Sequence, residues 1–175
     1  MSIRSVPASA RLLISAIYRE ERDLEAAIRR IEEKVGAVRP AGPAFPFDRT
    51  DYYAAEMGSP LFRRFLRAEE PVPRDALPDI KIALERIEVD LSIGDRRTVN
   101  LDPGLITPEN FILATGKNFT HRVYLRDGVF ADLTLVFRKG EYRPLPWTYP
   151  DYASDEIRRL LRELRREHMA SGVLC

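Results

Sequence analysis

The stretch that most limits the fold is PRDALPDIKIALERIEVDLSIG, where Leu77, Ile80, Leu84, Ile87 and Leu91 recur at steps of three and four. That spacing predicts an amphipathic helix with one apolar stripe, which needs a partner surface. Asp75 is placed to cap it, and Pro78 is tolerable only in the first turn. Upstream, RLLISAIYRE turns from apolar to polar as a buried strand does when it feeds a loop. Leu24, Ala27, Ile28, Ile31 and Val35 then predict a second helix, stopped by Gly36.

Between these helices, RPAGPAFPFDRTDYYAAEMGSP carries prolines and aromatics that exclude helix over most of its length. DRTD supplies turn chemistry, so a hairpin of two extended arms is expected. LFRRFL fits a strand or a short helix. After the central helix, RTVNL predicts a short strand running into Asp102-Pro103-Gly104, where Pro103-Gly104 is expected to bend the chain, and Thr107-Pro108-Glu109 predicts a brief helix over NFILAT. HRVYL, RDG and VFADLTLVF read as strand, tight turn and strand. RKGE turns the chain toward YRPL, and Ile157, Leu160, Leu161 and Leu164 mark a last helix capped by Ser154.

The expected class is therefore α+β: an antiparallel sheet with a ferredoxin-like split β-α-β core, an added hairpin and a C-terminal helix. The strand around Ile14 should pair centrally, with helices 21–35 and 75–92 on one face. A chain of 175 residues suits a single domain, 1–175, with its core at 11–152 and the last helix at 154–170.

Charge is balanced, 28 Lys plus Arg against 27 Asp plus Glu, so no strong nucleic-acid signal arises from net charge. The single cysteine, Cys175, excludes an intrachain disulfide and suits a reducing compartment. LLISAI is too short for a signal segment, and no apolar run approaches a membrane span. The expectation is a cytoplasmic protein with no membrane partner and its oligomeric state open.

Several motifs in order, TDYYAAEMG at 50–58, IK at 80–81, VNLDPG at 99–104, LATGK at 113–117, HRVYL at 121–125 and WTYPDY at 147–152, carry a resemblance. From Arg11 to Tyr152 the chain resembles the bacterial and archaeal family called domain of unknown function 4416. Members of that family are sometimes labelled GTP-binding. A P-loop needs Gly-x-x-x-x-Gly-Lys-Ser/Thr, and around Gly116-Lys117 the outer positions are Phe111 and Asn118. No Asn-Lys-x-Asp motif is present either, so the chain is not read as a G-domain.

Asn100 and Asp102 alternate on one strand and share a face. Asp102 is then a general base or metal ligand, or else it accepts amides of its own turn while Asn100 satisfies a sheet edge. Lys117, His121 and Arg122 suit an anion clamp, although His121 and Arg122 can both join it only near a strand end. Asp132 pairs across the hairpin with Arg122 or Arg126 as a solvated pair. Asp51, Tyr52, Tyr53 and Glu56 can hold a metal or stack a base, with Asp51 and Tyr53 on one side if the arm is extended; the alternative is hairpin packing. Trp147, Tyr149 and Asp151 form a lid or an aromatic plug. His168 near the end of the last helix complements its dipole.

Nucleophilic cysteine, Gly-x-Ser-x-Gly, Gly-x-Gly-x-x-Gly and His-Glu-x-x-His chemistry are all missing. What remains is carboxylate, lysine and arginine chemistry for a phosphate-bearing small ligand or nucleotide, with or without a divalent metal such as Mg. Asp102, Lys117 and His121 are the candidate catalytic residues. Asp51, Tyr53, Glu56, Lys81, Asn100, Arg122, Trp147 and Tyr149 are the candidate ligand contacts. The competing class is a non-catalytic module for a protein or RNA partner, carried by the arginines of IRRLLRELRREH; their interleaved glutamates equally fit a solvated face.

Overall fold

The computed structural model describes residues 3–48 and 52–171. Two expectations, the full DRTD turn and the placement of Asp51, lie outside the described residues. Strand β1 (Arg11–Tyr18) is buried along its whole length, as its largely apolar run suits a strand covered on both faces. It pairs antiparallel with β4 (Phe62–Ala68) on one side and β5 (Val99–Ile106) on the other. Among the described residues nine strands form one sheet in the order β2-β4-β1-β5-β6-β8-β7, with β3 also beside β4 and β9 beside β8. The remaining strands are β2 (Val38–Pro40), β3 (Phe45–Pro46), β6 (Asn110–Thr115), β7 (Arg122–Arg126), β8 (Val129–Arg138) and β9 (Glu141–Pro144).

Helices α1 (Glu21–Lys34) and α3 (Leu77–Leu91) lay Leu24, Ile31, Leu84 and Ile87 against Leu12, Ile14 and Ala16 of β1. The opposite face carries Leu13, Phe65 and Ile106 under Ile157, Leu161 and Leu164 of α4 (Asp155–Ala170). Period-two alternation along the strands thus divides the core into two layers. Ser154 caps α4 by accepting from the Ile157 amide. Asp127 and Gly128 turn between β7 and β8 with φ of 53° and 79°, the positive pair a two-residue hairpin needs. Among the described residues no helix is long and apolar enough to cross a membrane.

Several expectations are corrected. Residues 110–115 form a strand, because Thr107 builds a turn: its hydroxyl accepts from the Glu109 and Asn110 amides, and its own amide donates to the Asn110 carbonyl. Proline after threonine serves a turn as readily as a helix start. The arm before DRTD, at 38–40 and 45–46, pairs with β4 beyond Pro60, whereas the stretch after DRTD is not extended: Ala54–Met57 is a single-turn helix, α2, so Tyr53 is not in an extended arm. Asp75 lies in a 3-10 turn and makes no side-chain cap. His168 is buried and held neutral by burial, its Nε2 facing the Ser9 carbonyl, so it adds no charge to the helix end.

β5 does not bend away at Asp102-Pro103-Gly104 but runs straight through, with Pro103 opposite Ile14. Pairing with β6 begins only at Gly104, so no β6 ladder bond is required of Pro103. Gly104 itself is demanded by packing: a Cβ there would lie 2.6 Å from Cζ of Phe111. Among the described residues, 99–103 have β1 on one side and no strand on the other, so the sheet splits between β5 and β6.

Candidate functional site

The split exposes an edge of β5 whose peptide groups need partners. Helix α3 supplies them from two positions one heptad apart, both interrupting its apolar stripe. Glu88 Oε1 accepts from the Leu101 amide at 2.5 Å, and Lys81 Nζ donates toward the Leu101 carbonyl at 3.4 Å. Lys81 also meets Asp102 Oδ1 at 3.1 Å, while Asn100 Nδ2 donates to Asp102 Oδ2 at 2.7 Å. Asp102 therefore does not serve amides of its own turn; its partners are a lysine from another element and its strand neighbour.

Above this floor lies a cleft of about 690 Å³. Its described walls carry five basic side chains, Arg63, Lys81, Arg97, Lys117 and Arg122, against three carboxylates, Asp102, Asp132 and Asp151. Tyr53, Leu113, Ala114 and Tyr152 provide apolar and aromatic surface between them.

Four of the cations are paired. Arg97 grips Glu56 through two contacts of 2.7 Å and reaches Asn100 at 2.8 Å and Glu88 at 3.4 Å. Arg63, buried over Phe47 and Tyr152, pairs with Asp151. Arg122 donates to Asp132 at 2.9 Å, to the Lys117 carbonyl at 2.9 Å and to the Tyr149 hydroxyl at 3.0 Å. It thereby fixes the backbone of Gly116-Lys117 at the mouth. Lys117 has no carboxylate partner among the described residues; its ammonium donates to the Tyr52 hydroxyl at 2.8 Å.

Burial acts on these groups in opposite senses. It pushes the Glu88 carboxyl up to about 7, against the Leu101 amide, Lys81 and Arg97, which pull it down. It would lower Lys81, but Asp102 and Glu88 outweigh it and hold the ammonium above its ordinary value. The hydrogen bonds from Arg97 keep Glu56 below the usual carboxylate range. The ammonium of Lys117 lowers the Tyr52 phenol, and burial raises that of Tyr53.

Of the residues singled out from sequence, Tyr53, Lys81, Asn100, Asp102, Lys117, Arg122 and Tyr149 come together on this cleft. Glu56 does not line it; it braces Arg97 and borders a separate groove. His121 and Trp147 stand behind the wall, stacked at 4.9 Å, with His121 Nε2 3.2 Å from Asp132 and Trp147 Nε1 bonded to the Leu133 carbonyl. In WTYPDY, Trp147 is exposed and stacks on His121 outside the cleft, while the cleft wall runs from Tyr149 onward. Asp132 is 3% exposed, so its pair with Arg122 is buried rather than solvated. His121 precedes β7, which lets it and Arg122 meet the same carboxylate from adjacent positions.

Arg63, Arg97 and Glu88 join the site without having stood out in the sequence. Glu88 left a signal, a charge on the apolar stripe of α3, one turn before Leu91 and seven residues after Lys81. Arg97 left none, since Arg96 beside it looks the same. Among the described residues, no group of three or more His, Cys, Asp or Glu side chains is gathered as a metal site would need.

A family model described as Domain of unknown function (DUF4416) matches residues 8–168. No curated protein and no solved structure matches the chain.

Proposed function

The chain belongs to the DUF4416 family, and we propose that its cleft binds a small phosphate-bearing ligand. One observation carries the reading: Lys117, at the mouth, is the wall cation without a carboxylate partner among the described residues, on a backbone held by Arg122. An ammonium placed this way meets an anion without first breaking an ion pair. Two guanidinium hydrogens of Arg122 remain for the same ligand after its three bonds. Tyr52, Tyr53 and Tyr149 offer ring faces, so a nucleotide is the finer form of the proposal. Lys81, Asn100 and Asp102 shape the floor. His121 orients Asp132, and through it Arg122, from outside the cleft.

The order β2-β4-β1-β5, with α1 and α3 on one face, supports reading the core as a ferredoxin-like split within a single domain. The β5–β6 split then lies where the added hairpin joins that core. The test is thermal unfolding with inorganic pyrophosphate and with nucleoside triphosphates. Wild type should gain stability with ligand, and Lys117→Ala should keep its own melting temperature but lose most of the gain. An equal gain in both proteins would move the site elsewhere.

A second reading, a module for a protein or RNA partner, is favoured by β7. That terminal strand exposes Val123 and Tyr124. The α4 arginines favour it less, because Arg158 and Arg165 are turned inward onto the carbonyls of Tyr142 and Pro108.

A further inference from the structure

We propose that anion binding in the cleft is coupled to proton uptake by Glu88; this rests on reading the cleft as an anion site. The geometry is a closed cluster beneath the floor. From β5, Glu88 faces the Leu101 amide and Asp102; from its own helix, Lys81 and, one turn further out, Glu85; from the 94–98 turn, Arg97; and from α2 and the residue before it, Glu56 and Tyr53. The two cations of this cluster that line the cleft, Lys81 and Arg97, are each shared among carboxylates: Lys81 by Asp102 and Glu85, Arg97 by Glu56 and Glu88.

With Glu88 ionised, the inner cluster holds two cations and three carboxylates, Glu56, Glu88 and Asp102. At the floor, an arriving anion then meets a local surplus of negative charge, although the outer walls are basic. Protonating Glu88 removes one of those charges and leaves Lys81 and Arg97 better able to face the ligand. The Leu101 amide still has an acceptor, because the carbonyl oxygen of the acid remains. Burial makes the neutral form accessible near pH 7, where an exposed glutamate would be fully ionised. Coupling is reciprocal: whatever factor protonation adds to anion affinity, the anion adds to proton affinity.

The experiment uses sulfate, which does not titrate in the relevant range. Its affinity is measured by calorimetry at pH 6 and pH 8 for the wild type and Glu88→Gln, and the Glu88 carboxyl carbon is titrated by NMR in the wild type with and without saturating sulfate. Wild type should bind on the order of fivefold to tenfold more tightly at pH 6. Glu88→Gln should bind nearly alike at both, and sulfate should raise the midpoint of the Glu88 titration. Equal pH dependence in both proteins would overturn the coupling. An unmoved Glu88 midpoint would overturn it whether or not the variant folds. Sulfate binding at neither pH would remove the anion site itself, and the proposal with it.

Discussion

At the scale of single residues, the site depends on side chains whose partners come from other elements. Asp102 was legible as a polar group sharing a strand face with Asn100; its link to Lys81 was not, because that requires α3 to lie across the open edge of β5. Asp102→Asn leaves Lys81 with Glu85 and Glu88 nearby, so a loss of about 1–3 kcal/mol in chemical denaturation is expected. Pyrophosphate binding should survive or tighten, because the change removes a negative charge from an anion cleft. Gly104→Ala tests packing instead of charge. Its new Cβ would press on the Phe111 ring at 2.6 Å, and a loss of about 1–3 kcal/mol should appear without any change in ligand response beyond that of the shifted midpoint.

At the scale of elements, α1, α3 and α4 were readable because their apolar residues repeat at steps of three and four, and β1 because its compact apolar run turns polar at its end. The segment 107–115 was misread because Thr-Pro-Glu is common to helix starts and turns, and only the strand waiting at β8 decides between them. The hairpin expected about DRTD differs because pairing is a tertiary choice: the stretch at 38–46 pairs with β4, beyond the turn of α2, rather than with the residues directly after DRTD. Helix α3 carries a measurable signature of its buried charge. Glu88 has its folded-state value raised to about 7 from the ordinary 4.5, so its stabilising contribution is complete below about pH 4.5 and is lost as pH rises through about 7. His168 has the opposite sign: burial lowers it, so its contribution falls as pH drops. The difference between two proteins isolates Glu88. Between pH 5 and pH 8, the stability of Glu88→Gln relative to wild type should rise by on the order of 3 kcal/mol at most; a flat difference would mean that Glu88 is solvated.

At the scale of the whole molecule, charges that balance over the chain are distributed unevenly around the split in the sheet. Net charge at +1 gave no hint of this, because the five basic walls are assembled from β4, α3, the 94–98 turn, the 116–117 loop and β7. Local concentration of charge predicts a salt-sensitive site, so pyrophosphate affinity should fall severalfold between about 0.05 and 0.5 M potassium chloride while the fold is retained. That one cleft at the β5–β6 split receives a phosphate-bearing ligand can be read from backbone amide resonances during a pyrophosphate titration. Saturable shifts confined to Tyr52, Tyr53, Asn100 to Asp102, Thr115 to Lys117, Arg122 and Tyr149 are expected. Shifts centred instead on the exposed arginines of α4, or spread evenly over the surface without saturation, would contradict it.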